Sequence, residues 1–261
     1  MLLRIAVLAV ALAWPSGTRW TSLQAWPDSW GDSPATSLAS PAGLSRLEGP
    51  SAEAWWGESD SGGRWTLAAG LPCGKWFFGI SGGGATGSEA PDSVLAGVSA
   101  AKVLTGDPRG FIRGFFGPSI CLGASLEVRS APGGGGPSFS ACSHLQFSVF
   151  PTFAVGASLS RIGLSGPGSD SPVFGYGGTY IFNRQLRGHV EYRDHAAGAG
   201  AELCIGERLV FSTGTDGHSW SAGLVALLGP FETGYSVIMC DSAAFHGVSV
   251  SFSPGEGAGE W

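Results

Sequence analysis

The chain has 261 residues, a formal net charge of −6 and 13% charged residues, and 44 of its residues are glycine. Soluble domains contain about 25% charged residues, so this composition is not that of an ordinary soluble domain. An acidic chain without a basic run also argues against nucleic acid as a partner. Low charge combined with many small residues is typical of a barrel whose outside meets lipid and whose inside is small and polar.

Residues 1–25 have the features of a secretory signal peptide. Arg4 supplies the positive start, and residues 5–14 form an apolar run that is too short to cross a bilayer as a helix. The stretch 22–25, Ser-Leu-Gln-Ala, offers a small-residue cleavage site, so we predict that residues 1–25 are removed on export. The alternatives are an uncleaved anchor and a misassigned start.

Residues 26–50 are irregular and rich in serine and proline. Asp32, Ser33 and Pro34 can begin a single helical turn that continues to residue 39. The segment is too short and too interrupted to be a domain, and we expect a periplasmic or plug segment here.

From residue 51 apolar and polar residues alternate with a period of two, which indicates β-strands. In 138–150, for example, Phe139 and Leu145 fall on one face while His144 and Gln146 fall on the other. Such strands are about ten residues long, the length of a tilted transmembrane strand, whereas soluble strands have about five or six residues. We predict strands near 51–57, 64–71, 75–82, 93–104, 114–129, 138–150, 152–162, 173–183, 185–193, 198–206, 208–215, 218–228, 231–240 and 244–252.

Through the first two-thirds of the chain, the connections between these strands are alternately tight and long. The loops expected at 83–92, 130–137 and 163–172 are long, whereas the one at 105–113 is long on the side of the tight turns. This alternation is typical of outer-membrane barrels, which have short periplasmic turns and longer outside loops. The predicted fold is therefore all-β: a transmembrane antiparallel β-barrel of about 14 strands, at least 12, over residues 51–253, with a C-terminal tail at 254–261.

Aromatic residues cluster where these strands meet the tight turns, as expected of an interfacial girdle or simply of β-propensity. The cluster contains Trp76, Phe77, Phe78, Phe147, Phe150, Phe153, Tyr180, Phe182 and Phe231.

Polar and ionisable residues recur on the strand faces that point inward. We expect them to line the lumen and to pair across strands, although such a cluster could also be catalytic. They are Glu127, Arg129, His144, Gln146, Arg187, His189, Glu191, Arg193, Glu202 and Glu232. Because the chain lacks nucleophile-elbow, zinc-protease and P-loop motifs, we expect neither an enzyme nor a cofactor.

The chain has five cysteines, an odd number, and no two of them form a C-x-x-C pair. This spacing argues against a metal site. Export would allow two disulfides and one free thiol. We favour the alternative that the cysteines are small residues on the faces of the barrel.

The residues before the first predicted strand resemble a known family. The stretches 32–35 and 40–49, and above all Ser40, Pro41, Ala42, Gly43 and Leu44, resemble the start of FadL-type outer-membrane transporters and of their shorter PorV-like relatives. The family has asparagine where Ser40 stands here. Residues 246–252 are similar to the family's closing strand. The resemblance implies fourteen strands and a plug inside the barrel, formed here by 26–50.

The resemblance also implies a function and partners. FadL-type proteins take up small hydrophobic molecules such as long-chain fatty acids across the bacterial outer membrane, where the lipid bilayer is the surrounding partner. PorV-like proteins instead act with the secretion apparatus, in protein secretion or surface assembly. From the residues alone, a secreted soluble β-sandwich is a further alternative, although many outward positions are apolar.

Overall fold

The structure is a computed structural model of the whole chain. It describes residues 38, 40–59, 62–87, 93–108, 116–130, 136–165, 171–193, 195–206, 208–216, 219–240 and 243–253. The predicted signal peptide, nearly all of the predicted helical turn before residue 39 and the predicted tail at 254–261 lie outside these residues. No helix in the described part of the chain is long and apolar enough to cross a membrane.

Fourteen strands form one closed antiparallel barrel, in which each strand pairs with its two neighbours in sequence and the first pairs with the last. The strands are β1 Ser51–Ser59, β2 Gly62–Cys73, β3 Trp76–Gly87, β4 Ser93–Gly106, β5 Ser119–Ser130, β6 Ser138–Phe150, β7 Phe153–Ser165, β8 Val173–Ile181, β9 Leu186–Arg193, β10 Ala196–Ile205, β11 Leu209–Thr215, β12 Ser219–Leu228, β13 Phe231–Cys240 and β14 Ala243–Phe252.

The predicted fourteen-stranded barrel is confirmed. Its closure comes from β1 and β14, where Trp55 lies opposite Ser249 and Glu53 lies opposite Ser251. Because the sheet is closed, it has no free edge, and neighbouring strands can satisfy the backbone hydrogen bonds without water. The alternative of a β-sandwich is wrong, because all fourteen strands belong to a single closed sheet.

The two faces of the wall differ as the two-residue period predicts. On β14, Val248 and Val250 point outward and are 55% and 51% exposed, whereas Ser249 between them points inward and is 3% exposed. The outward face is apolar on every strand, with residues such as Leu67, Ile80, Leu126, Phe174, Val190, Phe211 and Leu224. The inward face is mostly small or polar, as in β6 and β9.

Several strands run further than the sequence predicts. A loop was expected from residue 83, but β3 continues through Gly83 and Gly84 to Gly87. These glycines are paired on both sides, since Gly83 lies opposite Thr66 of β2 and Leu95 of β4. The pairing of β3 with β2 and β4 therefore overrides the loop-forming tendency of glycine. Likewise, β7 continues to Ser165 where a loop was expected from 163.

The tight turns that the sequence predicts lie together at one end of the barrel. They include Gly74–Lys75, where Gly74 has a φ of 62° that favours glycine, and Pro151–Thr152. The connection from β4 to β5 is long at this same end, as expected, and β5 begins at Ser119, directly after Pro118, rather than at 114. Both the start of β1 and the end of β14 also lie at this end, which we call the turn end.

Aromatic residues surround the turn end, and all but one of those in the predicted cluster point outward. Trp76, Phe78, Phe150, Phe182 and Phe231 are between 46% and 62% exposed on the outer surface. Phe77 is the exception to the predicted girdle, because it points inward and is 2% exposed.

The cysteines that the structure describes are free thiols. Cys121, Cys142 and Cys204 are buried on the inner face, and Cys73 is exposed at the end of β2. The side chain of Cys240 lies outside the described residues.

Candidate functional site in the barrel lumen

Residues 40–47, which we call the inner segment, lie inside the barrel against the inner faces of β2 to β6. They include a 3₁₀ helix, Pro41–Arg46, with proline at its first position, where a missing N–H costs nothing. The N–H of Gly43 donates to the carbonyl of Ser40, and that of Leu47 donates to the carbonyl of Leu44, both at 3.0 Å. The segment is buried although it belongs to no strand.

Apolar contacts hold the inner segment near the turn end. Ala42 and Leu44 are 0% exposed and Leu47 is 6% exposed. They form one cluster with wall residues from β3, β4 and β5, namely Phe77, Ala101, Val103 and Cys121. Phe77 points inward because it packs in this cluster. The cluster forms an apolar core in this part of the lumen, whose wall is otherwise mostly polar.

Glycines in the wall make room for the segment. A Cβ at Gly123 of β5 would collide with the backbone nitrogen of Ala42 and the carbonyl carbon of Pro41. A Cβ at Gly97 of β4 would lie 2.5 Å from Cδ2 of Leu38. The backbone of the segment thus lies directly on the wall at positions without a side chain.

Polar contacts fix the segment on the same wall. The Ser125 hydroxyl donates to the carbonyl of Leu38 at 2.7 Å. The Ser40 hydroxyl and Nδ1 of His144 form a hydrogen bond of 3.1 Å, and both residues are buried. The guanidinium of Arg46 lies 4.4 Å from the centre of the Phe116 ring, in the long connection at the turn end. Contacts of both kinds therefore join Leu38 and the inner segment to β4, β5 and β6.

A second feature of the lumen is a row of ionisable residues on β9, which we call the polar ladder: Arg187, His189, Glu191 and Arg193. All four point inward and are at most 7% exposed. Glu191 lies between Gly177 of β8 and Gly198 of β10, and a Cβ at Gly177 would collide with its side chain. Glycines on both sides therefore leave room for the Glu191 side chain along the wall.

The ladder is held by paired charges and hydroxyls. Nε of Arg187 donates to Oε2 of Glu202, the residue opposite it on β10. Nε2 of His189 lies 3.6 Å from Oε1 of Glu191. Nη2 of Arg193 donates to the Ser158 hydroxyl of β7 at 3.1 Å. The ladder thus links β7, β9 and β10, on a different part of the wall from the inner segment.

The remaining predicted lumen residues also point inward but lie apart from the ladder. Glu127 and Arg129 form an ion pair of 2.6 Å on β5, and both are half-buried. Gln146 is buried on β6, two residues from His144. Oε2 of Glu232 accepts a hydrogen bond of 3.4 Å from the Ser251 hydroxyl. These residues therefore form several separate polar groups on the wall.

Sequence reasoning missed several residues that shape the lumen. Trp55 points inward from β1 and is 6% exposed, and its ring covers Gly57 and Gly247. A glycine two residues away on the same strand was the only signal for this packing. Gly97, Gly123 and Ser125 gave no signal, because their partners, Leu38, Pro41 and Ala42, are distant in the chain.

We expect Arg187 and Glu202 to stabilise the barrel only as a pair. Removing one partner of a buried ion pair costs about 3–5 kcal/mol, because the other charge is left uncompensated. Arg187→Met and Glu202→Met should each lower the free energy of unfolding in urea by that order. The double variant should recover most of the loss. Losses that simply add in the double variant would show that the two side chains are independent.

Comparison with known proteins shows which solved structures this barrel resembles. No family model matches the chain, and no curated protein matches it. The Pseudomonas putida toluene transporter TodX is similar in structure, with a TM-score of 0.62 at 10% identity over 92% of this chain and 99% of that chain. The chain has the barrel fold of FadL-type proteins. A Pseudomonas aeruginosa FadL homologue gives a TM-score of 0.60 at 10% identity, covering 92% of this chain and 100% of that chain.

A further similar structure is the CymD monoaromatic hydrocarbon channel. Its TM-score is 0.59 at 10% identity, over 91% of this chain and 97% of that chain. The predicted resemblance to FadL-type barrels is thereby confirmed for the fold, while the PorV-like resemblance stays a prediction.

Proposed function

We propose that the chain is an outer-membrane barrel that binds small hydrophobic molecules and passes them through its lumen. The observation that carries this proposal is the inner segment, which packs an apolar core inside an otherwise polar-lined barrel. A barrel of fourteen strands is wide enough to enclose more than its own wall side chains. The similar structures, a toluene transporter and a monoaromatic hydrocarbon channel, support a hydrophobic cargo.

The outer surface supports the membrane location. Large apolar side chains point outward on every strand, and they meet an aromatic girdle at the turn end. Water would not solvate such a surface, whereas a bilayer would. Short turns face the periplasm in outer-membrane barrels, so we infer that the turn end and the start of β1 are periplasmic.

In this proposal the inner segment acts as the plug. Ser40, Pro41, Ala42, Gly43 and Leu44 occupy the lumen at its periplasmic end and limit the free passage of water and ions. The polar ladder lies on the other wall, where Arg187 is paired with Glu202 and Arg193 donates to the Ser158 hydroxyl. The proposed activity is therefore transport without covalent chemistry, and the cargo class includes long-chain fatty acids and monoaromatic hydrocarbons.

Ligand binding tests the proposal. The refolded protein in nanodiscs should bind the fluorescent apolar probe N-phenyl-1-naphthylamine saturably, above the partitioning into empty nanodiscs. Palmitate or toluene should displace the probe, and the more effective competitor would identify the preferred class. Sucrose, as a polar control, should have no effect. Binding no greater than in empty nanodiscs would contradict the proposal.

A further inference from the structure

The chain contains only two lysines, Lys75 and Lys102, and the fold brings them to one corner of the outer surface at the turn end. Lys75 lies in the turn between β2 and β3, and its carbonyl accepts a hydrogen bond of 3.0 Å from the N–H of Val103. Lys102 points outward from β4 and lies opposite Trp76 of β3. Both lysines are exposed, and neither forms an ion pair with a carboxylate of the described residues.

Aromatic rings orient this corner. Nζ of Lys102 lies 4.8 Å from the centre of the Trp76 ring, a cation–π contact. The Trp76 ring in turn is stacked on Phe78, with ring centres 6.4 Å apart and an interplanar angle of 10°. Tryptophan and lysine at this position are typical of the level of lipid head groups. We call Lys75, Lys102 and Trp76 the cationic corner.

A groove crosses the outside of the wall above the cationic corner. It has a volume of about 990 Å³, and its lining includes Ala69, Ile80, Gly82, Ala96 and Val98. Gly82 and Ala96 lie opposite each other, so small residues form the floor between larger ones. The lining also includes the inward-pointing Gly97, which lies between the outward-pointing Ala96 and Val98 on β4. We call this apolar depression the outer groove.

The corner and the groove are continuous along two neighbouring strands. On β3 the outward residues above Trp76 are Phe78, Ile80 and Gly82, and on β4 the outward residue between Lys102 and Val98 is Ala100. A strand rises about 3.3 Å per residue, so Val98 lies about 13 Å along β4 from Lys102. A head group at the corner therefore places an acyl chain directly in the groove.

We propose that the cationic corner and the outer groove together bind one anionic phospholipid of the periplasmic leaflet. Its phosphate lies against the ammonium groups of Lys75 and Lys102, and one acyl chain lies in the outer groove. Charge complementarity determines the choice of lipid, because the chain is acidic overall and both of its lysines are here. The proposal rests on the proposed membrane location, but not on the proposed cargo.

The site lies on the outer side of the wall that carries the inner segment. Phe77, which packs against the segment, lies between Trp76 and Phe78, while Ala101 and Val103 flank Lys102. A lipid bound outside would favour the folded form of this wall by mass action. Lipid binding should therefore raise the unfolding temperature of the barrel.

Native mass spectrometry tests the proposal with full-length protein in detergent and added phosphatidylglycerol or phosphatidylcholine. The wild type should retain one phosphatidylglycerol and bind phosphatidylcholine much more weakly. Lys75→Gln/Lys102→Gln should weaken phosphatidylglycerol binding at least about fivefold. The matched control is Arg184→Gln/Arg208→Gln, which removes the same charge from two other turns of the same end and should bind like the wild type. Equal losses in both double variants, or none in the first, would overturn the proposal.

Filling the groove separates the acyl-chain contact from the charge contact. Ala96→Ile keeps both lysines and should also weaken phosphatidylglycerol binding, while heat-dependent gel mobility verifies that the barrel is folded. Displacement of the lipid by inorganic phosphate, with no effect of Ala96→Ile, would show a simple anion site and overturn the lipid assignment. A wild-type dimer that Ala96→Ile dissociates would assign the groove to a second copy instead. Binding of the naphthylamine probe, measured on the same samples, reports separately on the proposed cargo.

Discussion

Deletion of residues 32–49 should leave the barrel folded and open a passage through it. The strands pair only with each other, so their hydrogen bonds do not depend on the inner segment. The deletion should nevertheless lower stability, since a buried leucine such as Leu44 contributes about 1.5–3 kcal/mol. In planar bilayers the conductance should rise well above that of the wild type, because a polar lumen without a plug admits water and ions.

Gly123→Val tests the same idea without shortening the chain. Its side chain would occupy the place of the Ala42 backbone, so the inner segment should leave the wall and conductance should rise. Ala124→Val is the control, because it places the same side chain on the outer face of the same strand. Unchanged conductance in the deletion variant, or loss of folding, would show that residues 32–49 are not a plug.

Val248→Arg should strongly destabilise the barrel in a bilayer. Val248 lies in the middle of β14, points outward and is 55% exposed between Trp56 and Tyr235 of the neighbouring strands. An arginine on the lipid face near the middle of the bilayer costs about 2–4 kcal/mol. The free energy of unfolding in urea, measured in phospholipid vesicles, should fall by that amount.

Two controls separate charge from position. Val248→Ala removes side-chain volume at the same site without adding charge, and it should cost much less. Ser253→Arg adds the same charge at the turn end, where an arginine costs only about 0–1 kcal/mol. Equal losses for the two arginine variants would place Val248 outside the hydrocarbon and contradict the membrane location.

Much of the fold could be predicted because strand faces follow directly from a two-residue period. All fourteen strands were predicted, and the inward parity of residues such as His144 and Glu191 agrees with the structure. The ends of strands were less predictable. Glycines at 82–84 favour a loop locally, but pairing with β2 and β4 on both sides extends β3 through them.

The contacts within the lumen could not be predicted from the sequence. The pairing of Arg187 with Glu202 depends on the register that the short β9–β10 connection sets. The position of Ala42 against Gly123 depends on the closure of the whole barrel, which no local pattern encodes. Parity thus predicts which residues point inward, while three-dimensional closure decides which of them meet.

Uptake by intact cells tests the central claim most directly. Pure bilayers are poor for this purpose because small hydrophobic molecules cross them unaided, whereas the polysaccharide layer of an outer membrane slows such molecules. Cells that lack their own hydrophobic-uptake barrels should accumulate radiolabelled palmitate or toluene faster when they express this chain, with no change for sucrose. Uptake no faster than in cells with an empty vector, or equally increased uptake of sucrose, would contradict the account.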